Sequence, residues 1–501
     1  GIDAGIAAGI ITAKEYYGDA SNMTGAGSTL SISGFSPLPN STQLSSSNVS
    51  IGFAFNQGVK AGTGEITLRK DSLSGTVVEN FGVGSSVTYV HGQAVITPTV
   101  TIENEQKYYV TIPNAGIQNM AGSSSIGAIN EYYFNTKPYL AKLYGVGGQN
   151  YGAGAGSADV STPIQIGNAS SWDMIGGLSN AIHGIATKTD GTIWSWGSNI
   201  KGGLGLNNTS TYNEPEQIGT DTDWSWVSAG FRHTYAIKTN GTLWSWGYAT
   251  TYGALGLNNQ TDVSSPTQVG TDTTWSKVGA AYGGGGAIKT DGTLWVWGDN
   301  DRGGLGLNNR TLYSSPIQVG TNTNWASLSQ QWATGDAGGF SAVKTDGTLW
   351  TTGNNLYGQV GDNTTTHRSS PVQLPGTTWS SDWWTFGGGR QCFAAVKTDG
   401  TLWTWGKNTD GNLGHGNATS YSSPKQVGTD SVWFAMAWAD EGCAATKTNS
   451  TLWTWGNNQA GELGHSNKQV YSSPRQVAGF TDAGFLAGHE KAFNIRGRTP
   501  Q

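Results

Sequence analysis

A repeat of about 50 residues dominates the chain from about Tyr139 onward and limits the folds open to it. Its most regular segment is Gly-Thr-Leu-Trp-Ser-Trp-Gly at 241–247, with relatives at 191–197, 292–298, 347–353, 400–406 and 450–456. Each repeat also carries one proline, at Pro163, Pro215, Pro266, Pro316, Pro371, Pro424 and Pro474. These prolines are 50 to 55 residues apart. That period, with about four β-like runs per unit, is typical of a four-stranded β-propeller blade and not of a helical solenoid.

Each repeat contains a predicted hairpin. In one copy the runs 236–239 and 242–246 flank the dipeptide Asn240-Gly241, which is typical of a tight turn with positive φ. Along 242–246 the side chains alternate between the two faces of the strand, and aromatic residues load one face heavily. Because blades of a propeller stack on one another, both faces can be buried.

The two ends of the repeat region complement each other. The segment Gly488–Ile495 aligns with Gly230–Ile237, but the chain ends before it reaches the next Leu-Trp-x-Trp-Gly strand. A related strand, Leu140–Gly145, precedes the first proline. We expect this N-terminal strand, within 139–145, to complete the last blade and so remove the free sheet edges. The prediction is an all-β chain with a seven-bladed β-propeller over 138–501.

The repeat resembles the regulator of chromosome condensation repeat family over roughly 139–501. The shared signature is hydrophobic-Trp-x-Trp-Gly, an Asn-rich turn, Leu-Gly, and then Pro-x-Gln-Val. The family's Gly-x-x-His element survives at Gly230–His233 and, shifted, at Gly488-His489, and it is lost at 282–286 and 439–442. This departure argues against any role that needs a regular ring of histidines.

Residues 28–137 form a separate predicted unit of short β-like runs, with turn residues between them, which indicates a β-sandwich. The predicted runs are Val49–Phe55, Glu65–Leu68, Val95–Pro98, Tyr108–Pro113 and Tyr132–Phe134. The segments Phe53–Val59, Gly62–Leu68, Thr111–Gly116 and Phe134–Thr136 are similar to the bacterial Ig-like domains of surface-layer and adhesin proteins. That resemblance implies a spacer without catalytic residues.

Residues 1–27 are predicted to be a stalk or anchoring segment. The stretch Gly9–Gly25 resembles a short repeat of fibre-like virion proteins of marine bacteriophages. The resemblance implies attachment to other virion proteins and, as a hypothesis, a homotrimer. A chain that begins with Gly1 is expected to be processed or to be the end of something longer. The apolar stretch 1–11 lacks the basic residues of a signal peptide.

Composition excludes several classes of protein. The net charge is −6 and no basic stripe is visible, which argues against a nucleic-acid partner. No apolar run reaches 18 residues, so no transmembrane helix is predicted. Cys392 and Cys443 are offset by one residue in the aligned repeats and should point to opposite faces of their strands. We interpret both as buried, small apolar residues and not as a disulfide or metal pair.

Catalytic and metal-binding motifs are missing, so neither an enzymatic activity nor a cofactor is predicted. His415 and His465 occupy a position held by Leu206, Leu257 and Leu307 in other repeats, which favours packing over metal binding. The sequence contains no zinc motif and no Gly-x-Ser-x-Gly. The glycine strings 202–205 and 303–306 recur at one place in the repeat and are interpreted as turns. The acidic turn residues Asp190, Asp291, Asp346 and Asp399 are spread around the ring.

Departures from the repeat are the candidate binding residues. The proline spacing widens around 329–336 and 380–385, where Trp332, Trp383 and Trp384 do not all follow the repeat. Exposed aromatic side chains can stack on sugars or anchor a protein contact. Alternatively, these side chains fill a wider gap between blades.

Three functional hypotheses follow. The preferred one is a non-enzymatic structural protein of a phage, exposed on the virion surface, whose propeller binds a protein or a glycan of the host. The second is a carbohydrate-active propeller, either a lectin or a hydrolase. The third is a repeat protein that acts on a GTPase or on chromatin.

Overall fold

The computed structural model describes residues 30–36, 50–70, 72, 75–90, 92–99, 107–135, 141–148, 152–154, 158–177, 181–249, 251–329 and 339–497. The chain divides between Tyr139 and Leu140 into two compact units. Every regular element in the described ranges is a β-strand. The predicted all-β class is therefore confirmed. The N-terminal stretch 1–27, with its predicted stalk segment, lies outside the described residues.

The first unit is a sandwich of two four-stranded sheets, ordered β1-β2-β7-β6 and β10-β8-β4-β5, with a short β3-β9 pair. Its strands are β1 (Ile32–Ser36), β2 (Ile51–Phe55), β3 (Val59–Ala61), β4 (Glu65–Lys70), β5 (Val77–Gly82), β6 (Val87–Val90), β7 (Gln93–Ile96), β8 (Lys107–Ile112), β9 (Ile117–Asn119) and β10 (Ile129–Asn135).

Alternation along the strands builds the core of this sandwich. In β8 every second residue is buried, namely Tyr108, Val110 and Ile112. These side chains join one apolar cluster with Ile51 and Phe53 from the other sheet. A period of two is what a sheet needs when one face packs on a partner sheet and the other meets solvent. The β-sandwich predicted from the alternating runs is confirmed.

The second unit contains seven four-stranded antiparallel sheets, which we number as blades 1 to 7. Blade 1 contains β13 (Trp172–Gly176), β14 (His183–Lys188), β15 (Ile193–Gly197) and β16 (Tyr212–Gln217). Blade 2 contains β17 (Trp224–Ala229), β18 (His233–Lys238), β19 (Leu243–Gly247) and β20 (Val263–Gln268). Blade 3 contains β21 (Trp275–Ala280), β22 (Gly284–Lys289), β23 (Leu294–Gly298) and β24 (Tyr313–Gln318).

Blade 4 contains β25 (Trp325–Leu328), β26 (Ser341–Lys344), β27 (Leu349–Gly353) and β28 (Arg368–Gln373). Blade 5 contains β29 (Phe386–Gly389), β30 (Cys392–Val396), β31 (Leu402–Gly406) and β32 (Tyr421–Gln426). Blade 6 contains β33 (Trp433–Ala439), β34 (Gly442–Lys447), β35 (Leu452–Gly456) and β36 (Tyr471–Gln476). Blade 7 combines β37 (Ala483–His489) and β38 (Ala492–Gly497) with β11 (Leu143–Gly147) and β12 (Val160–Gln165).

Blade 7 closes the ring with two strands from each end of the propeller. Strand β11 pairs with β38 so that Tyr144 lies opposite Ile495, and β12 adds the outer edge. The closing strand runs over Leu143–Gly147, two to three residues later than the pattern at 140–145 predicted. The first strands of most neighbouring blades contact one another, as β33 does with both β29 and β37, and they surround the axis. The turns that follow the first strands lie at one end of this axis, and the first residues of these strands lie at the other end.

Candidate functional site

A longer turn before β29 carries two of the predicted binding residues. Six residues lie between the strand-opening Trp379 and Phe386, which pairs with Ala395, whereas two lie between Trp224 and Val227, their counterparts in blade 2. The extra residues leave the sheet after Trp379 and return at Phe386. The turn is tied by Thr385, whose backbone N–H and hydroxyl both donate to the Asp382 carbonyl, at 3.0 and 2.6 Å.

This turn places Trp383 and Trp384 over the axis of the propeller. The Trp383 ring lies 5.8 Å from Trp226 of blade 2 and 5.7 Å from Phe485 of blade 7. The Trp384 ring lies 4.7 Å from Phe485 and 5.9 Å from Phe434 of blade 6. Blades 2 and 5 are not neighbours in the ring, so contact between them must cross the axis. We call these five residues, Trp226, Trp383, Trp384, Phe434 and Phe485, the aromatic cap.

The aromatic cap closes one end of the axis and keeps part of its surface in solvent. Phe485 is 7% exposed, while the other four rings are half-buried. Beneath Trp383 and Trp384, next to Met436 and Leu486, the remaining void is about 10 Å³, room for about one water molecule. The interpretation that the two indoles fill a gap between neighbouring blades is therefore replaced: they fill the axis of the ring.

A cation lies beside the aromatic cap. Lys277 occupies in β21 the position that Trp226 occupies in β17, two residues after the opening Trp. Its ammonium donates to the Ala326 carbonyl of the next blade. Burial lowers the pKa of Lys277, and the carboxylate of Asp382, next to Trp383 in the chain, opposes that shift. The cap therefore combines aromatic surface with one positive and one negative group.

The structure brings two of the three predicted site residues together. Trp332, the third, lies in sequence between β25 and β26, outside the described residues. Sequence reasoning missed Trp226, Phe434 and Phe485 as members of the site. The sequence feature that could have identified them is their position: each lies one or two residues after the start of the first strand of its blade, where other blades carry Lys277 or Met174. Their common location becomes visible only when the blades are closed into a ring.

The other end of the first strands carries a different set of side chains. Phe231 stacks on Tyr282 at 4.7 Å, and the Arg232 guanidinium lies 4.5 Å from the Phe231 ring centre. Arg390 pairs with Asp440 at 3.6 Å, in the turns of blades 5 and 6. Burial raises the pKa of Asp440 to about 6. This end of the axis, which we call the rim, therefore carries aromatic, basic and acidic side chains.

Three histidines are fully buried near this rim, and all three act as hydrogen-bond donors through Nε2. His183 donates to the Thr234 hydroxyl at 2.8 Å, since that hydroxyl itself donates to the Gly203 carbonyl. His233 donates to the Gly284 carbonyl, and His489 to Asn494 Oδ1. Burial lowers their pKa values to about 3, 4 and 4 in that order. His183 begins β14 as His233 begins β18, and in the sequence each lies eight residues before the turn glycine of its repeat, Gly191 or Gly241.

Both cysteines are free and fully buried, as their interpretation as small apolar residues requires. They belong to one apolar cluster between blades 5 and 6. The interface between blades 5 and 6 is lined by one face of blade 5 and by the opposite face of blade 6. Because the two cysteines are offset by one residue in the repeat, they point to opposite faces of their blades, and both side chains therefore enter this interface. Among the described residues, no three His, Cys, Asp or Glu side chains come together in a way that could hold a metal ion. No helix in the described ranges is long and apolar enough to cross a membrane.

Comparison with known proteins agrees with both units. Residues 142–493 match the RCC1-like domain, and residues 27–136 match the bacterial Ig-like domain. The human E3 ubiquitin-protein ligase HERC2 is 28% identical over 300 residues, which cover 57% of this chain and 6% of HERC2. The ultraviolet-B receptor UVR8 of Arabidopsis thaliana is 28% identical over 374 residues, covering 72% of this chain and 79% of UVR8.

Solved structures show the same fold at low identity. Human WBSCR16 is 18% identical with a TM-score of 0.61, and the match covers 72% of this chain and 99% of that one. Yeast RCC1 (Prp20), in its complex with Kap60, is 17% identical with a TM-score of 0.61, covering 72% and 90% of the two chains. Because the family match spans more than half of the sequence and the seven blades follow its repeat, the chain belongs to the RCC1-like domain family and carries a bacterial Ig-like domain ahead of its propeller.

Proposed function

We propose that this chain is a non-catalytic binding protein on the surface of a phage particle, where the Ig-like domain acts as a spacer and the propeller binds a protein of the host surface. The observation that carries the binding role is the aromatic cap. Trp residues near the centre of an interface are among those that contribute most to binding, and Phe is enriched in interface cores. The RCC1-like fold supports a binding role, since Prp20p of Saccharomyces cerevisiae has binding properties towards Gsp1p and histones.

The absence of enzymatic activity is part of the proposal. Nearly every polar motif of the propeller recurs around the ring and has a structural partner, as the Asp-Gly turns do. The position on a virion rests on the resemblance of 9–25 to phage fibre-like proteins and on the order of the segments, with a spacer ahead of the propeller.

The virion role is tested by mass spectrometry of purified particles, together with immunogold labelling by an antibody against the propeller. We expect the chain in stoichiometric amounts and the label on the particle surface. Particles that lack the chain would overturn the virion assignment.

The binding role is tested with fluorescent chain on host cells. We expect the double substitution Trp383→Ala and Trp384→Ala to abolish cell binding, while Tyr357→Ala, which removes an aromatic ring that is 39% exposed and outside the cap, leaves binding unchanged. Protease treatment of the cells should remove binding. Loss of binding only after periodate oxidation of glycans would instead indicate a lectin.

A further inference from the structure

A groove lies between the outer parts of blades 5 and 6. It has a volume of about 400 Å³, within the range of small-molecule sites. Its walls include His415 and Lys425 of blade 5, Asp430 of the connection, and Trp453, Ser473 and Pro474 of blade 6. We call it the blade 5–6 groove. It lies at the outer strands, away from the aromatic cap on the axis.

Two of its residues, His415 and Lys425, are replaced by residues of different chemistry in blades 1 to 4, whereas blade 6 carries the related pair His465 and Arg475. The position of His415 is Leu206, Leu257 and Leu307 in blades 1 to 3. The position of Lys425, opposite Thr404 in the sheet, is Glu216, Thr267, Ile317 and Val372 in blades 1 to 4. Since the fold forms in those blades without His and Lys, folding does not require the pair.

Lys425 presents a cation without an acidic partner. Its ammonium donates to the Tyr421 hydroxyl at 2.8 Å and lies 4.1 Å from the centre of that ring. By contrast, Lys289 and Lys447, at a different position of the repeat, have carboxylates at 2.5 and 2.7 Å. The Lys425 side chain is exposed, so its remaining N–H groups can donate to an anion in the groove.

His415 and Asp430 present acceptors. The Thr404 hydroxyl donates to the Leu413 carbonyl at 2.7 Å, so it can only accept from His415 Nε2, 3.0 Å away. This fixes the proton on Nε2 and leaves Nδ1 as a bare acceptor. One oxygen of Asp430 pairs with Lys447, and the side chain is 52% exposed, so its carboxylate also has acceptor capacity left.

The ligand must match this set. It needs an anionic group for Lys425, hydroxyl donors for His415 Nδ1 and Asp430, and C–H surface for Trp453 and Pro474. A sugar that carries a carboxylate has all three. We propose that the blade 5–6 groove binds a carboxylated saccharide of the hexuronic acid type. This is a second binding function, independent of the aromatic cap.

The proposal is tested with the full chain by calorimetric titration of oligosaccharides ending in glucuronic or galacturonic acid. Their neutral counterparts, ending in glucose or galactose, differ only at the carboxylate. We expect the acidic sugars to bind at least about tenfold more tightly than the neutral ones, the usual scale for a charge-assisted hydrogen bond.

The variants are taken from the repeat itself so that they fold. Lys425→Thr copies Thr267 and should remove the preference for acidic sugars. His415→Leu copies Leu257 and should weaken both sugars. His465→Leu, the equivalent change in blade 6 outside the groove, should leave binding unchanged. Failure of every acidic sugar to bind, or unchanged binding by Lys425→Thr, would overturn the proposal. Trp383→Ala with Trp384→Ala should retain sugar binding, so the two proposals can fail separately.

Discussion

At the level of single residues, one Thr hydroxyl in each of blades 1 to 6 links the hairpin turn to the aromatic face. In blade 2 the Asn240 carboxamide oxygen accepts from both the backbone N–H and the hydroxyl of Thr242, and this hydroxyl accepts from Trp244 Nε1 at 2.8 Å. The same chain of bonds runs through Asp291, Thr293 and Trp295 in blade 3. The acidic residues of the turns therefore cap hairpins, and this accounts for their repetition around the ring.

Replacing Thr242 by Val should destabilise the propeller by about 1–2 kcal/mol, because it leaves the indole N–H of Trp244 without its acceptor. The measurement is urea unfolding followed by Trp fluorescence. Thr267→Val in the same blade is the control, since its hydroxyl bonds only to Ser265 of its own outer strand. An equal loss of unfolding free energy in the two variants would contradict the role of the Thr242 hydroxyl as acceptor for Trp244.

Because three histidines are buried and have lowered pKa values, we expect the unfolding free energy of the propeller to fall in acid. In the unfolded chain a histidine has a pKa of about 6.5, and burial lowers the pKa of His233 to about 4. Between these values the unfolded state binds more protons, so stability falls as the pH is lowered from about 6.5 towards 4. At pH 4.5 the loss from His233 alone is about 2 kcal/mol.

His233→Gln keeps an N–H donor for the Gly284 carbonyl and removes the titration. We expect its unfolding free energy to fall by about 2 kcal/mol less than that of the unchanged chain between pH 7.5 and 4.5. Carboxyl groups such as Asp440 titrate in both proteins and cancel in the comparison. Parallel pH profiles would show that His233 carries no such effect.

At the scale of elements, the first strands decide how closely the blades approach. Gly488 in β37 faces blade 6 so tightly that a Cβ at this position would lie 1.6 Å from the carbonyl oxygen of Trp438 in β33. The backbone of one blade thus contacts the backbone of the next where a side chain would separate them. Alternation within a strand predicts which residues are buried, but not which strand of the neighbouring blade they meet.

Gly488→Ala should therefore lower the unfolding free energy by about 3 kcal/mol, because neither backbone can move without shifting a whole strand. Gly167→Ala, in the loop after β12, has open space around it but a φ of +60°, and it should cost only about 1 kcal/mol. Thermal or urea unfolding of the two variants separates the effects. A small effect of Gly488→Ala would mean that the blade interface adapts.

At the scale of the whole molecule, stability depends on the junction of the two ends. The N–H of Gly497 donates to the carbonyl of Lys142 at 2.8 Å, next to the β11–β38 pairing. Residues more than 340 apart in sequence thus form the middle of blade 7. The ring has no free first or last blade as long as this pairing holds.

A circular permutant tests the closure. Joining residue 497 to residue 141 by a short Gly-Ser linker and opening the chain between Gly219 and Thr220 moves the termini to the loop between blades 1 and 2. We expect this propeller to fold with an unchanged melting temperature, since the linked ends are already adjacent. Opening within β18 should prevent folding. If the permutant opened between Gly219 and Thr220 failed to fold, the adjacency of the two ends would be contradicted.

The fold class, the number of blades and the closing strand could be predicted from the sequence, because each blade repeats one local pattern of strand, turn and aromatic residue. Trp383 and Trp384 were also recognisable as departures from that pattern. Their contacts with Trp226 and Phe485 over the axis could not be predicted. The same holds for the shared interface of Cys392 and Cys443 and for the groove that His415 and Lys425 form with Trp453. Repeats encode contacts within a blade and with its neighbour, whereas contacts across the axis and the shape of grooves depend on the closure of the ring.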